Sequence, residues 1–526
     1  MGARPSTFAK PVEAPKPTRE WSVQQDRIFQ WFQRTLDISV GNCQNLVVRA
    51  RAGTGKTTTI IEGVNRAPEP SILVCAFNKG IAEELTARVE NPHAEVKTLH
   101  ALGYQMIRRE WRGMPVAKDG LRAQSLTDTV IKGWEQEHKA TGKVPEQIRR
   151  LVGYLHTKGR EMCPLDPTDK DIEALAYRFD YVPDEGWGVY DLDWVVTHAL
   201  MAMHEAATVN PTYDIGIDFA DMLYLPLTWN LTARDWQLVV VDEAQDMTVA
   251  QLELCQRCCG GRFCIVGDDR QAIYGFRGAD SGSLDRLKQE LQAEELPLTV
   301  TYRCGRTIVE KAQELVPDIE AHPNAPDGSV VTVDYADMLR DVQPGDFILS
   351  RLNAPLVGIV LKLLRRQKRA TMRGRDLGDG ILKVLKRLRC FDSTPIEAVI
   401  EKVLLWERQT VTKLAASGQH QQIERVRDQA GILYALAEDA ETTSELLRKA
   451  QYLFADVDGT DVILGSSVHK AKGLEANRVY VLRDSLCRFG DTEEELNICY
   501  VAYTRAKTQL VLVTSVPGLA PRLQRD

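Results

Sequence analysis

Residues 50–57 read Ala-Arg-Ala-Gly-Thr-Gly-Lys-Thr. A loop of this kind can cradle a polyphosphate. Gly53 and Gly55 let backbone N–H groups turn toward phosphate oxygens, Lys56 can reach the β- and γ-phosphates, and the Thr57 hydroxyl can sit on Mg2+. The pattern ordinarily opens with Gly, whereas position 50 is Ala. A second candidate lies far downstream, where Val239-Val-Val runs into Asp242-Glu243-Ala-Gln-Asp246. Asp242 suits Mg2+, reached through water. Glu243 suits the base that orients and polarises an attacking water. Acids at the start of a loop are commonly no more than solvated. Beside a phosphate loop they acquire a joint chemistry, hydrolysis of a nucleoside triphosphate.

These groups can meet only if the chain brings their loops to one end of one sheet. Asn45–Val48 reads as a short apolar strand, followed by the loop and a helix from about Lys56. Ser71–Ala76, Leu238–Val241 and Phe263–Val266 read as further strands. Strand, loop, helix, strand is the grammar of a parallel α/β sheet. A long helical stretch between Tyr104 and Trp236 lacks it and reads as an insertion. A second set follows at Leu298–Val300, Ser329–Val333, Phe347–Ser350, Val462–Leu464, Val479–Leu482 and Leu510–Val513, interrupted by a helical, charge-rich segment near 377–454. No repeat of 20–50 residues is visible. Two α/β cores are therefore expected, with a ligand cleft between them.

Other short patterns appear in order along the chain: Ser22-Val-Gln-Gln25, Cys75-Ala-Phe77-Asn78-Lys79, Thr98-Leu-His100-Ala, Val266-Gly-Asp268-Asp-Arg-Gln271-Ala-Ile-Tyr274-Gly-Phe276-Arg277, Thr301-Tyr302-Arg303, Ser467-Val-His469-Lys-Ala-Lys472-Gly473-Leu-Glu475, and Glu494-Glu495 through Tyr500-Val-Ala-Tyr-Thr504-Arg505. With the phosphate loop and the acid pair, this series resembles superfamily 1 helicases of the UvrD/Rep/PcrA group, and among them the compact F-box-helicase-like members. The resemblance spans about Trp21 to Val513. It implies an α/β protein of two RecA-like parallel-sheet domains, each with a helical insertion. The expected division is an N-terminal arm at 1–20, a first RecA-like domain at 21–104 and 231–283, a helical insertion at 105–230, a second RecA-like domain at 284–376 and 455–516, a second insertion at 377–454, and a tail at 517–526.

The resemblance also assigns roles. ATP would be contacted by Gln25 at its adenine, by Tyr302 stacked on the adenine, by Ala52, Gly53, Thr54, Gly55, Lys56, Thr57 and Thr58 at the phosphates, and by Glu475. Ser22 and Gln25 also fit a capping box, and both readings can hold. Catalysis would fall to Lys56, Asp242, Glu243, Gln271 as γ-phosphate sensor, Arg303, and Arg505 as arginine finger, with Thr57 and Asp242 at Mg2+. Single-stranded DNA would meet Phe77, Asn78, Lys79, His100, Tyr274, Phe276, Arg277 and His469. Phe276 stands where the family usually has Trp, a smaller stacking surface, and Thr301 where Asn is common. The second insertion is modest for the family, which leaves processivity and partner control open.

The implied activity is ATP-dependent translocation on single-stranded DNA and unwinding, 3′→5′, at strands and duplex junctions, in repair, recombination or replication. Two other readings stay open: a translocase that strips proteins without unwinding, and a nucleotide-gated nucleic-acid-binding module. The intact Glu243, Gln271 and Arg505 speak against the last, since a pure switch needs no water activation. A monomer in the cytoplasm or at the nucleoid is expected.

Composition bounds these readings. The 526 residues are 44% hydrophobic and 26% charged, an ordinary globular balance, and no stretch approaches the ~20 apolar residues of a membrane span. A net charge of −7 weighs mildly against nucleic acid but leaves room for a local basic groove. Lys362 to Arg375 holds seven basic residues and no acid, either a backbone contact or the end of a helix. Eleven scattered cysteines suit a reducing compartment. Cys255, Cys258 and Cys259 sit at i, i+3, i+4 of an expected helix, where a packed face explains them better than a metal, since nearby partners for four ligands are missing. The Pro-rich start, Met1 to Glu20, reads as a flexible arm, and its Met-Gly-Ala-Arg-Pro-Ser fits only a loose myristoylation pattern.

Overall fold

Apolar runs dictate the architecture. In a computed structural model, β1 (Leu46–Ala50), β2 (Ile72–Ala76), β3 (Ala94–Thr98), β4 (Trp236–Val241), β5 (Cys259–Gly267) and β6 (Glu294–Leu298) form one parallel sheet in the order β3-β2-β4-β5-β1-β6. The inner strands are Val-, Ile- and Leu-rich and buried, as a sheet covered on both faces requires. The described residues are 20–34, 45–76, 78–118, 120–139, 142–163, 166–179, 181–183, 187–208, 215–231, 234–273, 283–416, 420–454, 461–487 and 492–519. The N-terminal arm through residue 19, the end from residue 520, Phe77, Tyr274, Phe276 and Arg277 lie outside them.

Beyond a short ladder of β7 (Val300–Thr301) and β8 (Glu320–Ala321), a second parallel sheet is built from β9 (Ser329–Asp334), β10 (Phe347–Ser350), β11 (Ala370–Met372), β12 (Ile463–Ser467), β13 (Ala476–Leu482) and β14 (Ala506–Thr514). Its order is β11-β12-β10-β13-β14-β9. The fold is thus α/β with two parallel-sheet cores. Helices from Leu99–Glu110 to Phe219–Thr228 pack their own apolar cluster around Ile148, Val152, Leu155 and Ala199. Helices Ile396–Ala416, His420–Ala437 and Thr443–Leu453 cover one face of the second sheet through Val399, Leu433 and Leu446.

Two expectations are corrected. The boundary between cores does not fall at 283/284, because β6 pairs with β1 and belongs to the first sheet. This strand is mostly half-exposed and holds Pro297, the signature of a sheet edge, which hides it from an apolar-run reading. The three cysteines do not share a helix. Cys255 ends the helix Val249–Arg257, Cys258 caps it, and Cys259 already pairs with Trp236 as β5 begins. β5 then runs close against β4 and needs glycine there, since a Cβ on Gly261 would lie 2.2 Å from the Gln237 carbonyl oxygen. Cys255 packs instead on Cys75, their thiols 3.6 Å apart.

Candidate active site

β1 ends at Ala50, and the loop after it turns sharply. Gly53 and Gly55 have φ of +73° and +80°, left-handed values that glycine adopts without strain. Gly53 has a second reason to lack a side chain: a Cβ there would meet Thr301 Oγ1 at 2.5 Å and Arg303 Cβ at 2.6 Å. The helix Lys56–Arg66 starts directly at the loop, with the end that favours anions toward it. Lys56 Nζ lies 3.7 Å from Glu243 Oε1, and Thr57 Oγ1 donates to Asp242 Oδ2 at 3.1 Å. Thr54 is buried, its hydroxyl donating to the Arg51 carbonyl at 2.9 Å. The Ala52 N–H donates to the Tyr500 hydroxyl at 2.9 Å. Thr58 faces elsewhere and accepts from Arg88 at 3.1 Å.

The acids sit at the end of β4, where Glu243 turns the chain with φ of +51°. Burial first, and then the Glu243 charge, push the Asp242 carboxyl up to about 7. Glu243 is held below its ordinary value: burial opposes this, but Lys56 and Lys472 outweigh it. Two neighbouring carboxyls with values driven apart are what an acid–base or metal site requires. A dication beside Asp242 and the Thr57 hydroxyl would relieve the cost of the buried charge, so this donor pair fits one. Asp246, pushed up to about 6 by burial, accepts from Lys472 Nζ with both oxygens at 2.6 Å. The same Nζ donates to the Gln271 carbonyl at 2.8 Å, and Gln271 Nε2 donates to Asp268 Oδ2 at 2.5 Å.

The second core faces this loop with cations. Arg505 is fully buried, and burial, then the charge of Arg303, push its guanidinium down to about 10. Among the described residues it donates to neutral oxygens, the carbonyls of Val501 and Leu474 and the Thr504 hydroxyl. Arg303 is steered by Glu475, whose Oε2 accepts from Nε at 2.6 Å. Gly53, Lys56, Glu243, Gln271, Arg303, Lys472 and Arg505 line one cavity of about 200 Å³. Two lysines and two guanidiniums, set against the Glu243 and Asp246 carboxylates in so small a space, make it a site for a compact polyanion. At its rim Gln25 is buried, accepts from Ser22 N–H in a capping box and donates to Thr59 at 2.9 Å. The Tyr302 hydroxyl donates to Gln25 Oε1 at 3.4 Å, and its half-exposed ring offers a stacking face.

The residues expected at DNA are more scattered. Asn78 lines the cavity and caps the helix Lys79–Arg88, accepting from the Ile81 N–H at 3.0 Å. Lys79 is exposed, 3.6 Å from Glu83. His469 is the second residue of the helix Val468–Ala471. His100 lies edge-on to Phe219, centroids 5.7 Å apart, and Phe219 is 58% exposed. Phe219 was not singled out from sequence, though the Asp218–Asp221 capping box that opens its helix was a readable signal. Also missed were Tyr500, Arg51 and Asn497, whose Nδ2 donates to the carbonyls of Asp269 and Ala272 at 3.3 Å. The basic run is largely occupied locally: Lys368 donates to the carbonyls of Leu339, Arg340 and Val342, and Arg365 pairs with Asp439 at 2.5 Å.

Residues 34–292 match the UvrD/REP helicase N-terminal domain, and residues 464–513 the UvrD-like helicase C-terminal domain. F-box DNA helicase protein 1 of Schizosaccharomyces pombe is 24% identical over 90% of this chain and 56% of its own length. ATP-dependent DNA helicase Rep of Escherichia coli is 27% identical over 54% of this chain and 42% of its own. ATP-dependent DNA helicase PcrA of Bacillus subtilis is 26% identical over 52% and 37%. The chain thus spans about half or less of the length of the curated relatives it matches.

Proposed function

Because the chain belongs to the UvrD/Rep helicase family, we propose that it hydrolyses ATP to move along single-stranded DNA and to unwind duplex from a 3′ tail. The observation that carries this reading is the cavity where Lys56 and Glu243 of the first core face Arg303 and Arg505 of the second. Lys56 and the loop amides would hold the β- and γ-phosphates. Glu243, kept ionised by Lys56 and Lys472, would orient the attacking water and accept its proton. Thr57 and Asp242 would hold Mg2+, which supplies charge neutralisation between the phosphates when bound. Gln25 and Tyr302 would receive the adenine. Arg303 and Arg505 would stabilise the charge spread over the transferring phosphoryl group, and only with the cores together. Loss of the γ-phosphate removes the anion that reconciles these cations, so the cleft is released once per turnover. With Lys79, His100 and His469 as the described candidates for strand contact, alternating grip would convert that release into a step. The setting would be intracellular DNA. No helix of the described residues is long and apolar enough to cross a membrane.

Steady-state ATP hydrolysis with and without poly-dT tests the reading. Strong stimulation is expected, abolished by Lys56→Ala. Arg505→Ala is expected to keep ATP binding and lose about 10³-fold or more in turnover, the usual worth of an arginine finger. Hydrolysis indifferent to poly-dT, or normal turnover in Arg505→Ala, would overturn it. Strand displacement on 3′- and 5′-tailed duplexes decides polarity.

A further inference from the structure

Position 51 of the phosphate loop is an arginine, and its side chain does not line the cavity. It points the other way and is 6% exposed. Toward the first core, Nη1 donates to Asp269 Oδ1 at 2.6 Å and to Asp268 Oδ1 at 3.3 Å. Toward the second core, Nε and Nη2 donate to the two carboxylate oxygens of Asp318 at 2.8 and 2.7 Å. Asp318 lies between Val316 and Ile319, both packed in the apolar cluster of the second core with Val479 and Leu510. One guanidinium therefore spans the cleft, and it does so from the loop that ends in Lys56.

We propose that the Arg51–Asp318 pair is a cross-cleft coupling bridge, through which closure of the second core is registered at the phosphate loop and at the Asp268–Gln271 pair. This rests on the ATP-driven motor reading above. Three features carry it. The contact is a bidentate fork, which fixes direction as well as distance. Its inner arm ends on Asp268, the carboxylate that also holds Gln271 Nε2, so pull on Arg51 is felt at the residue facing the cavity. Its outer arm can be broken at low cost. The Asp318 side chain is 51% exposed and stays hydrated when the cores part. Arg51 keeps Asp268 and Asp269 as counter-charges, so opening strands no buried ion. A contact that forms and breaks without penalty on either side suits a cycle, and Arg51 is then a positioning residue rather than a phosphate ligand.

The test uses the whole chain with ATP, Mg2+ and poly-dT. Asp318→Asn keeps size and leaves Arg51 compensated, so it should melt like the parent protein. Its poly-dT-stimulated kcat is expected to fall about fivefold, the lower range of coupling between sites, with KM for ATP within about twofold. Hydrolysis without poly-dT should be unchanged in this variant, a split that a merely structural defect does not produce. Asp318→Glu, which restores the charge, should recover about half of the loss or more. Arg51→Lys keeps charge but not the fork, and the double variant with Asp318→Asn should lose no more than the worse single one. Full stimulation in Asp318→Asn, equal losses with and without poly-dT, or losses that multiply in the double variant would overturn the bridge. A parent protein that hydrolyses ATP without any response to poly-dT would instead sink the motor reading, and the bridge with it.

Discussion

Asp242 and Glu243 are neighbours with opposite shifts, and the difference has a measurable consequence. The folded protein holds the Asp242 proton more tightly than an unfolded chain, raised from 3.8 to about 7 by burial and the adjacent charge. Its contribution to stability is therefore complete only below about pH 4 and is lost as pH rises toward about 7. Cation binding needs the carboxylate. The Mg2+ concentration that half-saturates hydrolysis should rise about tenfold per pH unit below about 7. A half-saturation that stays level between about pH 6 and about pH 8 would show an Asp242 already ionised. Lys56, Glu243, Gln271, Arg303 and Arg505 line one cavity, with Thr57 and Asp242 bonded to each other beside it, because their loops lie at the ends of strands and helices that meet at one cleft.

At the scale of elements, the helix Phe219–Thr228 shows how a helical insertion is pinned. Arg160, fully buried in the helix Glu146–Met162, donates to both Asp218 oxygens at 3.0 and 2.8 Å and to Asp221 Oδ1 at 2.5 Å. Arg122 donates to Asp221 Oδ2 at 3.0 Å. The same two aspartates form the capping box of the Phe219 helix, so one network orients Phe219 beside His100. Asp221→Ala removes the counter-charge shared by two buried guanidiniums. It is expected to cost about 3–5 kcal/mol in urea unfolding, and a loss below about 1 kcal/mol would mean that the pair behaves as a surface one.

The two insertions also touch each other. Gln422 Nε2 donates to the carbonyls of Tyr177 and Arg178 at 2.6 and 3.0 Å. These carbonyls lie in the last turn of the helix Asp169–Phe179, the end where a helix offers no amides of its own. Arg425 Nη1 also donates to the Arg178 carbonyl at 3.4 Å, so side chains of one insertion hold the helix end of the other, tying parts of the molecule that hang from different cores. Gln422→Ala should speed amide exchange in the helices Asp169–Phe179 and His420–Ala437 while leaving ATP hydrolysis without DNA unchanged. Unaltered exchange in both helices would show that other contacts hold the insertions together.

Local pattern alone determined the phosphate loop, the acid-ended strand, the inner strands of both sheets and the order of the motifs, because each is specified within a few residues by glycine conformation, apolar runs or caps. The strands that pattern missed or misplaced, β3, β6 and β11, lie at sheet edges: half-exposed residues and Pro297 blur the apolar signal of β3 and β6, and β11 is buried but only three residues long. Only the tertiary structure decided that Arg51 spans the cleft, that Tyr500 holds the Ala52 amide and that Gly53 must admit Thr301 and Arg303. Those partners lie hundreds of residues apart, and nothing in an arginine, a tyrosine or a glycine says which distant surface will close upon it.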